Sequence, residues 1–95
     1  MEDVVAVLLI KTKNFKENYR VAYLNSIEDL FYDDILNKPT QDPYVILENA
    51  RILFSNCEIL LSRELAYNVA EEIQNEKKSS GGIRMISIPT TGEDF

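Results

Sequence analysis

The sequence predicts an α+β fold: about four mostly antiparallel strands with two or three helices packed on one face, in the order β-β-α-α-β-α-β. Three observations predict it. Val4 to Ile10 is a continuous apolar run rich in valine, the pattern of a strand covered on both faces. "YRVAYL", Tyr19 to Leu24, alternates with a period of two, as a half-buried strand does. Leu65, Ala66, Val69, Ala70 and Ile73 fall at helical spacing, opposite Asn68, Glu71, Glu72, Asn75 and Glu76.

Taken in order, the two N-terminal strands flank the polar stretch "KTKNFKEN" and form an antiparallel hairpin. Ser26 is a good N-cap with Asp29 three residues on, so a helix is expected from Ile27 to Asn37, stopping before Pro39. Asp42 then caps a second helix, Tyr44 to about Ser55, with Pro43 in its first turn. An alternative divides this stretch into two short strands, "YVILE" and "ARILF". "CEILL", Cys57 to Leu61, is expected as a third strand. Ser62 caps a third helix, Arg63 to about Lys78, whose C-terminal lysines suit its dipole. "SSGG" makes the turn into a fourth strand, Ile83 to Ile88. Residues 1–89 are read as one domain and 90–95 as a flexible tail.

The totals exclude several classes of function. The longest apolar run is seven residues, far short of the ~20 that span a bilayer. An acidic Met1-Glu2-Asp3 start lacks the basic region of a signal peptide. One cysteine, Cys57, excludes an internal disulfide and suits a reducing, cytoplasmic location. Net charge is −6, and residues 21–76 hold eleven acids against three bases. Such a surface repels phosphate, so neither direct nucleic-acid binding nor binding to an anionic membrane is expected. With no histidine, Ser-His-Asp and Cys-His catalysis cannot be built, nor a Cys/His zinc site. No catalytic residue, metal or cofactor is therefore assigned.

The densest chemistry is "SIEDLFYDD", with Glu28, Asp29, Asp33 and Asp34 in seven residues. On a helix at ~100° per residue only Asp29 and Asp33 point the same way, so the acids diverge where a hard cation needs converging oxygens. They are read as a solvated face. Cys57 lies beside Glu58, which raises a thiol's pKa, and reads as a packed or half-buried thiol. Lys11, Lys13, Lys16 and Arg20 could gather round Phe15 as a basic patch, but a solvated loop whose charges discourage edge pairing is the preferred reading. Tyr32, Tyr67 and Phe95 are candidate surface aromatics.

The second helix is different. Ile46, Leu47, Ala50, Leu53 and Phe54 share one broad face, while Val45 and Ile52 lie together on another. Apolar groups on two faces exceed what one sheet can cover. Either the helix is sandwiched within its own domain, which the small size of the patch of Val45 and Ile52 favours, or these residues meet a partner chain. The expectation is a small acidic protein-binding module: an adaptor, inhibitor or accessory subunit with no catalysis of its own. Tyr44, Val45 and Ile52 would be the apolar contacts, and Asp29, Asp33, Asp34, Glu71 and Glu72 the charges that steer a basic partner. The alternative is an acidic mimic of nucleic acid, for example phage-encoded, that inhibits a nucleic-acid-binding protein. A carboxylate-based enzyme completed in an oligomer is a third reading. Pairing of two copies, through the second helix or an open sheet edge, is compatible with each.

Overall fold

The computed structural model describes residues 2–11 and 16–88. Lys13, Phe15, Phe95 and the expected tail therefore lie outside the described residues. The chain runs β1 (Val4–Lys11), β2 (Glu17–Leu24), a 3-10 turn (Ile27–Phe31), β3 (Tyr32–Asp33), β4 (Lys38–Pro39), α1 (Pro43–Leu53), α2 (Arg63–Lys77) and β5 (Ile83–Ile88). The class is α+β, as expected. Strand and helix counts differ from expectation.

The main sheet has three strands in the order β2-β1-β5. β1 pairs antiparallel with β2, from Val4 opposite Leu24 to Lys11 opposite Glu17. Its other edge pairs parallel with β5, from Val5 opposite Ile83 to Ile10 opposite Ile88. Alternation then sends one half of β1 to each face. Val4, Ala6, Leu8 and Ile10 join Ala22, Leu24 and Ile88 beneath Leu47, Ala50 and Phe54 of the α1 segment. Val5 and Val7 join Tyr19 and Val21 beneath Ala66 and Ala70 of α2. The helices thus cover opposite faces, correcting the expectation that they share one. The physical reason is in β1 itself, where both sets of side chains are apolar and each needs a lid.

To change faces, the chain passes round the β2 edge. Leu60 marks the crossing: its N–H donates to the Tyr19 carbonyl and its carbonyl accepts from the Tyr19 N–H, both at 2.8 Å. The expected strand over 57–61 reduces to this one bridge. A segment that must wrap over an edge cannot also run along it.

The expected helix over 27–37 is likewise corrected. Ser26 does cap it, Oγ accepting from the Glu28 N–H at 3.2 Å, but only Ile27–Phe31 coils, and as 3-10 turns. Asp33 Oδ1 then accepts from the amides of Ile35 (2.9 Å) and Leu36 (3.1 Å). Asn37 takes a left-handed φ of 54°, and the chain reverses so that Tyr32 and Asp33 pair with Pro39 and Lys38. Side-chain capture of backbone donors outcompetes the helix here. Asn49 of α1 completes the diversion. Its Nδ2 donates to the carbonyls of Leu30 (3.0 Å) and Tyr32 (2.8 Å), which a continued helix would have needed.

Both α-helices stand where the sequence places them, and the reading of 44–55 as two strands is excluded. Asp42 Oδ1 accepts from the Tyr44 N–H at 3.0 Å with Pro43 opening α1. Ser62 Oγ accepts from the Leu65 N–H at 3.1 Å, and Lys78 closes α2 with φ 50°. Asp3 fastens the α2–β5 turn to the start of β1. Its carboxylate accepts from the Tyr23 hydroxyl (2.7 Å) and from the Ser80 amide (2.8 Å) and hydroxyl (2.9 Å), while its carbonyl accepts from the Gly81 amide (2.8 Å). No helix among the described residues is long and apolar enough to cross a membrane.

Candidate interaction groove

α1 carries apolar groups on two faces. Leu47 and Ala50, with Phe54 just beyond the helix, are buried against the sheet, and Ile46 and Leu53 pack at their margin. On the other side Tyr44 and Ile52 are 66% and 67% exposed, with Val45 half-buried between solvent and protein. Across from them the β3–β4 turn presents Ile35, 93% exposed, and Leu36, also exposed. An aliphatic side chain held so far into water forgoes roughly 1.5–3 kcal/mol of burial.

Between α1 and the 29–36 segment runs a groove. One part, about 350 Å³, is bounded by Ile35, Tyr44, Val45 and Ile52 together with Asp33, Asp34, Glu48 and Asn49. An adjoining part of about 240 Å³ shares Asp34, Asn49 and Ile52 and adds Asp29, Tyr32 and Leu53. Among the described residues no lysine or arginine lines either part. Asn49 fixes the distance between the walls through its two bonds to the 30–32 backbone.

The four carboxylates of the opening motif have separate fates. Asp33 is only 9% exposed and is spent on the Ile35 and Leu36 amides, so it is a turn-forming side chain and not the surface charge expected. Glu28 lies by a different hollow, with Glu2, Ser26 and Arg84. Asp29 and Asp34 are exposed at the groove and make no ion pair among the described residues. Among those residues no three His, Cys, Asp or Glu side chains are grouped to hold a metal ion.

Of the expected interface, Tyr44, Val45, Ile52, Asp29, Asp33 and Asp34 come together. Glu71 and Glu72 do not: they are exposed on α2, beyond the opposite face of the sheet. Lys13 and Phe15 of the expected basic patch lie outside the described residues. Lys11 and Lys16 are exposed at the hairpin end, but Arg20 turns to the α1 face, its Nη1 donating to the Phe54 carbonyl at 3.5 Å. A cation at a helix C-terminus is favourably placed. Cys57 is half-buried; burial pushes its thiol pKa up and the Arg20 charge pulls the other way. Tyr67 is half-buried beneath the Arg63 guanidinium, 5.6 Å from its ring centre, and Tyr32 donates its hydroxyl to Asn37 Oδ1.

Sequence reasoning missed Ile35 as a groove wall and Asn49 as the clamp. In the helix expected over 27–37, Ile35 would share an apolar arc with Ile27, Leu30 and Phe31, and beyond Phe31 that helix does not form. The signal was present in "DDILN", where Asp33 and Asn37 bracket a tight turn. Asn49 is a weak helix former in mid-helix, and its side chain serves the 30–32 backbone. Further exposed leucines and isoleucine, Ile59, Leu61 and Leu65, lie where the chain crosses to α2. Compared with family models, curated proteins and solved structures, the chain matches none.

Proposed function

We propose that this protein works by binding another protein, as an adaptor, inhibitor or accessory subunit, and that the groove between α1 and the 29–36 segment is its contact surface. The observation that carries the reading is the joint exposure of Ile35, Tyr44 and Ile52 around one concave surface. Scattered exposed leucines are ordinary, but apolar side chains gathered from two elements round a groove mark an interaction site. The clamp formed by Asn49 supports it further, because a pre-set groove loses little entropy on binding. No catalytic step is assigned to this chain.

The test uses Ile35→Asp with Ile52→Asp, both at exposed positions, so the fold should survive. Affinity capture from a host lysate should retain a defined protein on the wild type and lose it on the double variant, with unchanged circular dichroism. Equal capture by both would remove the groove from the function.

The exposed face of α2 supports a second reading. It carries Glu64, Glu71, Glu72 and Glu76 in solvent, a row of carboxylates on a regular helix that suits mimicry of a phosphate backbone. Salt separates the two readings. A mimic's affinity falls steeply with ionic strength, whereas an apolar groove holds most of its partner.

A further inference from the structure

We infer that the groove takes a basic amphipathic helix of its partner, with apolar side chains entering between Ile35 and Ile52 and lysines or arginines facing Asp29 and Asp34. The inference rests on the protein-binding reading and adds the chemistry of the occupant. Charge is the first argument. Among the described residues the lining contains acids and no base; Asp33 is consumed within the turn and Glu48 is partly answered by Arg51 at 3.4 Å. Asp29 and Asp34 remain, two exposed carboxylates without an ion pair among the described residues, Asp34 where the two parts of the groove meet and Asp29 in the smaller part. An acidic or neutral segment would leave them uncompensated, and an acidic one would be repelled.

Backbone chemistry is the second argument, and it selects a helix over an extended segment. A strand docking in the groove brings unpaired amides and carbonyls that need main-chain partners. On one wall is α1, whose backbone is bonded internally. On the other the Ile35 and Leu36 amides are already taken by Asp33 Oδ1. Recognition is therefore left to side chains, which a helix presents with its own backbone satisfied. The fit in length is reasonable: Tyr44 to Leu53 spans about 14 Å along α1, and three anchors at i, i+4 and i+7 span about 10 Å.

The experiment titrates the full chain, labelled for amide NMR, with a synthetic Leu/Lys amphipathic helix of about 18 residues and with a Leu/Glu peptide of the same pattern. Binding of the Leu/Lys peptide should shift amides in 29–36 and 44–53. It should weaken at least about tenfold in Ile35→Asp with Ile52→Asp. It should weaken about threefold in Asp29→Asn with Asp34→Asn, where the exposed sites leave folding intact. Equal binding of the Leu/Glu peptide overturns the basic partner while leaving a protein-binding groove. Shifts confined to Glu71 and Glu72, or affinity unchanged in the Ile35/Ile52 variant, overturn it as mere attraction to an acidic surface. A wild-type dimer that the same variant dissociates overturns it in favour of a second copy. If neither peptide binds while the wild type still captures a host protein that the variant loses, the helix inference fails and the broader reading stands.

Discussion

At Gly81 a single methyl group decides the fit of a turn. A Cβ there would sit 2.6 Å from the Asp3 carbonyl oxygen, which is backbone and cannot swing aside. Gly82 next door has open space but a φ of +69°. The two glycines thus resist substitution for different reasons, and the difference is measurable. Gly82→Ala should cost about 1 kcal/mol of backbone strain, and Gly82→Asn less, since asparagine tolerates that conformation. Gly81→Ala should cost about 2–3 kcal/mol, with no relief from asparagine, because the clash is steric. Urea denaturation of the four variants checks the pattern. Beside this turn, Asp3 supplies a pH response. Hydrogen bonds from the Tyr23 hydroxyl, then from the Ser80 amide and hydroxyl, hold its carboxyl below the usual aspartate range. A depressed folded pKa means stability present above the unfolded value of ~3.9 and lost as pH falls through the folded one. Asp3→Asn should therefore flatten the acid limb of a stability–pH curve and leave its slope near pH 7 unchanged. An equally steep acid limb in the variant would place the response elsewhere. The site is solvent-exposed, so the effect is modest.

Elements show which parts of the fold local sequence determines. β1 was legible from its continuous apolar run and β2 from its alternation, while α1, α2 and β5 also carry start signals: Asp42-Pro43 before α1, Ser62 before α2, Ser79 to Gly82 before β5. The stretch from Ile27 to Asn37 was not. Its capping pattern and apolar spacing are those of a helix, yet bonds to Asn49, remote in sequence, take the carbonyls of Leu30 and Tyr32. The strand expected at 57–61 failed for a related reason, since only the placement of the helices on opposite faces reveals that this segment must wrap round β2. The groove was half legible. Helical phase put Val45 and Ile52 together, but Ile35 reaches them only through a turn that helix geometry concealed. If Asn49 is the clamp, Asn49→Ala strands two carbonyls and should cost about 2 kcal/mol. Amide exchange should accelerate over 27–37 more than over α2. Uniform acceleration would mean that Asn49 merely contributes to overall stability.

Across the whole molecule, one strand belongs to two cores. Leu8 and Val7 are neighbours in sequence, each fully buried, yet Leu8 packs beneath α1 and Val7 beneath α2. Were the two cores independent, α1 and α2 could melt separately. They share β1, whose pairing with β2 and β5 supports both, so losing either lid exposes a strand the other needs. Chains of this size carry about 5–14 kcal/mol of net stability, too little for half the sheet to stand alone. Leu8→Ala should cost about 3 kcal/mol and Val7→Ala about 2 kcal/mol. Each should move the urea midpoint of α1 and α2 amides together, as in a single cooperative transition. The groove makes the same point from the other side. Ile35 and Ile52 lie outside both cores, so aspartate there should lower the unfolding free energy by no more than about 1 kcal/mol, the cost of an acid in the last turn of α1, and leave the two helices melting together. Separate midpoints for the two helices in Leu8→Ala would show that β1 does not couple the faces. A large loss from Ile52→Asp would return that side chain to the core and leave the groove without its apolar wall.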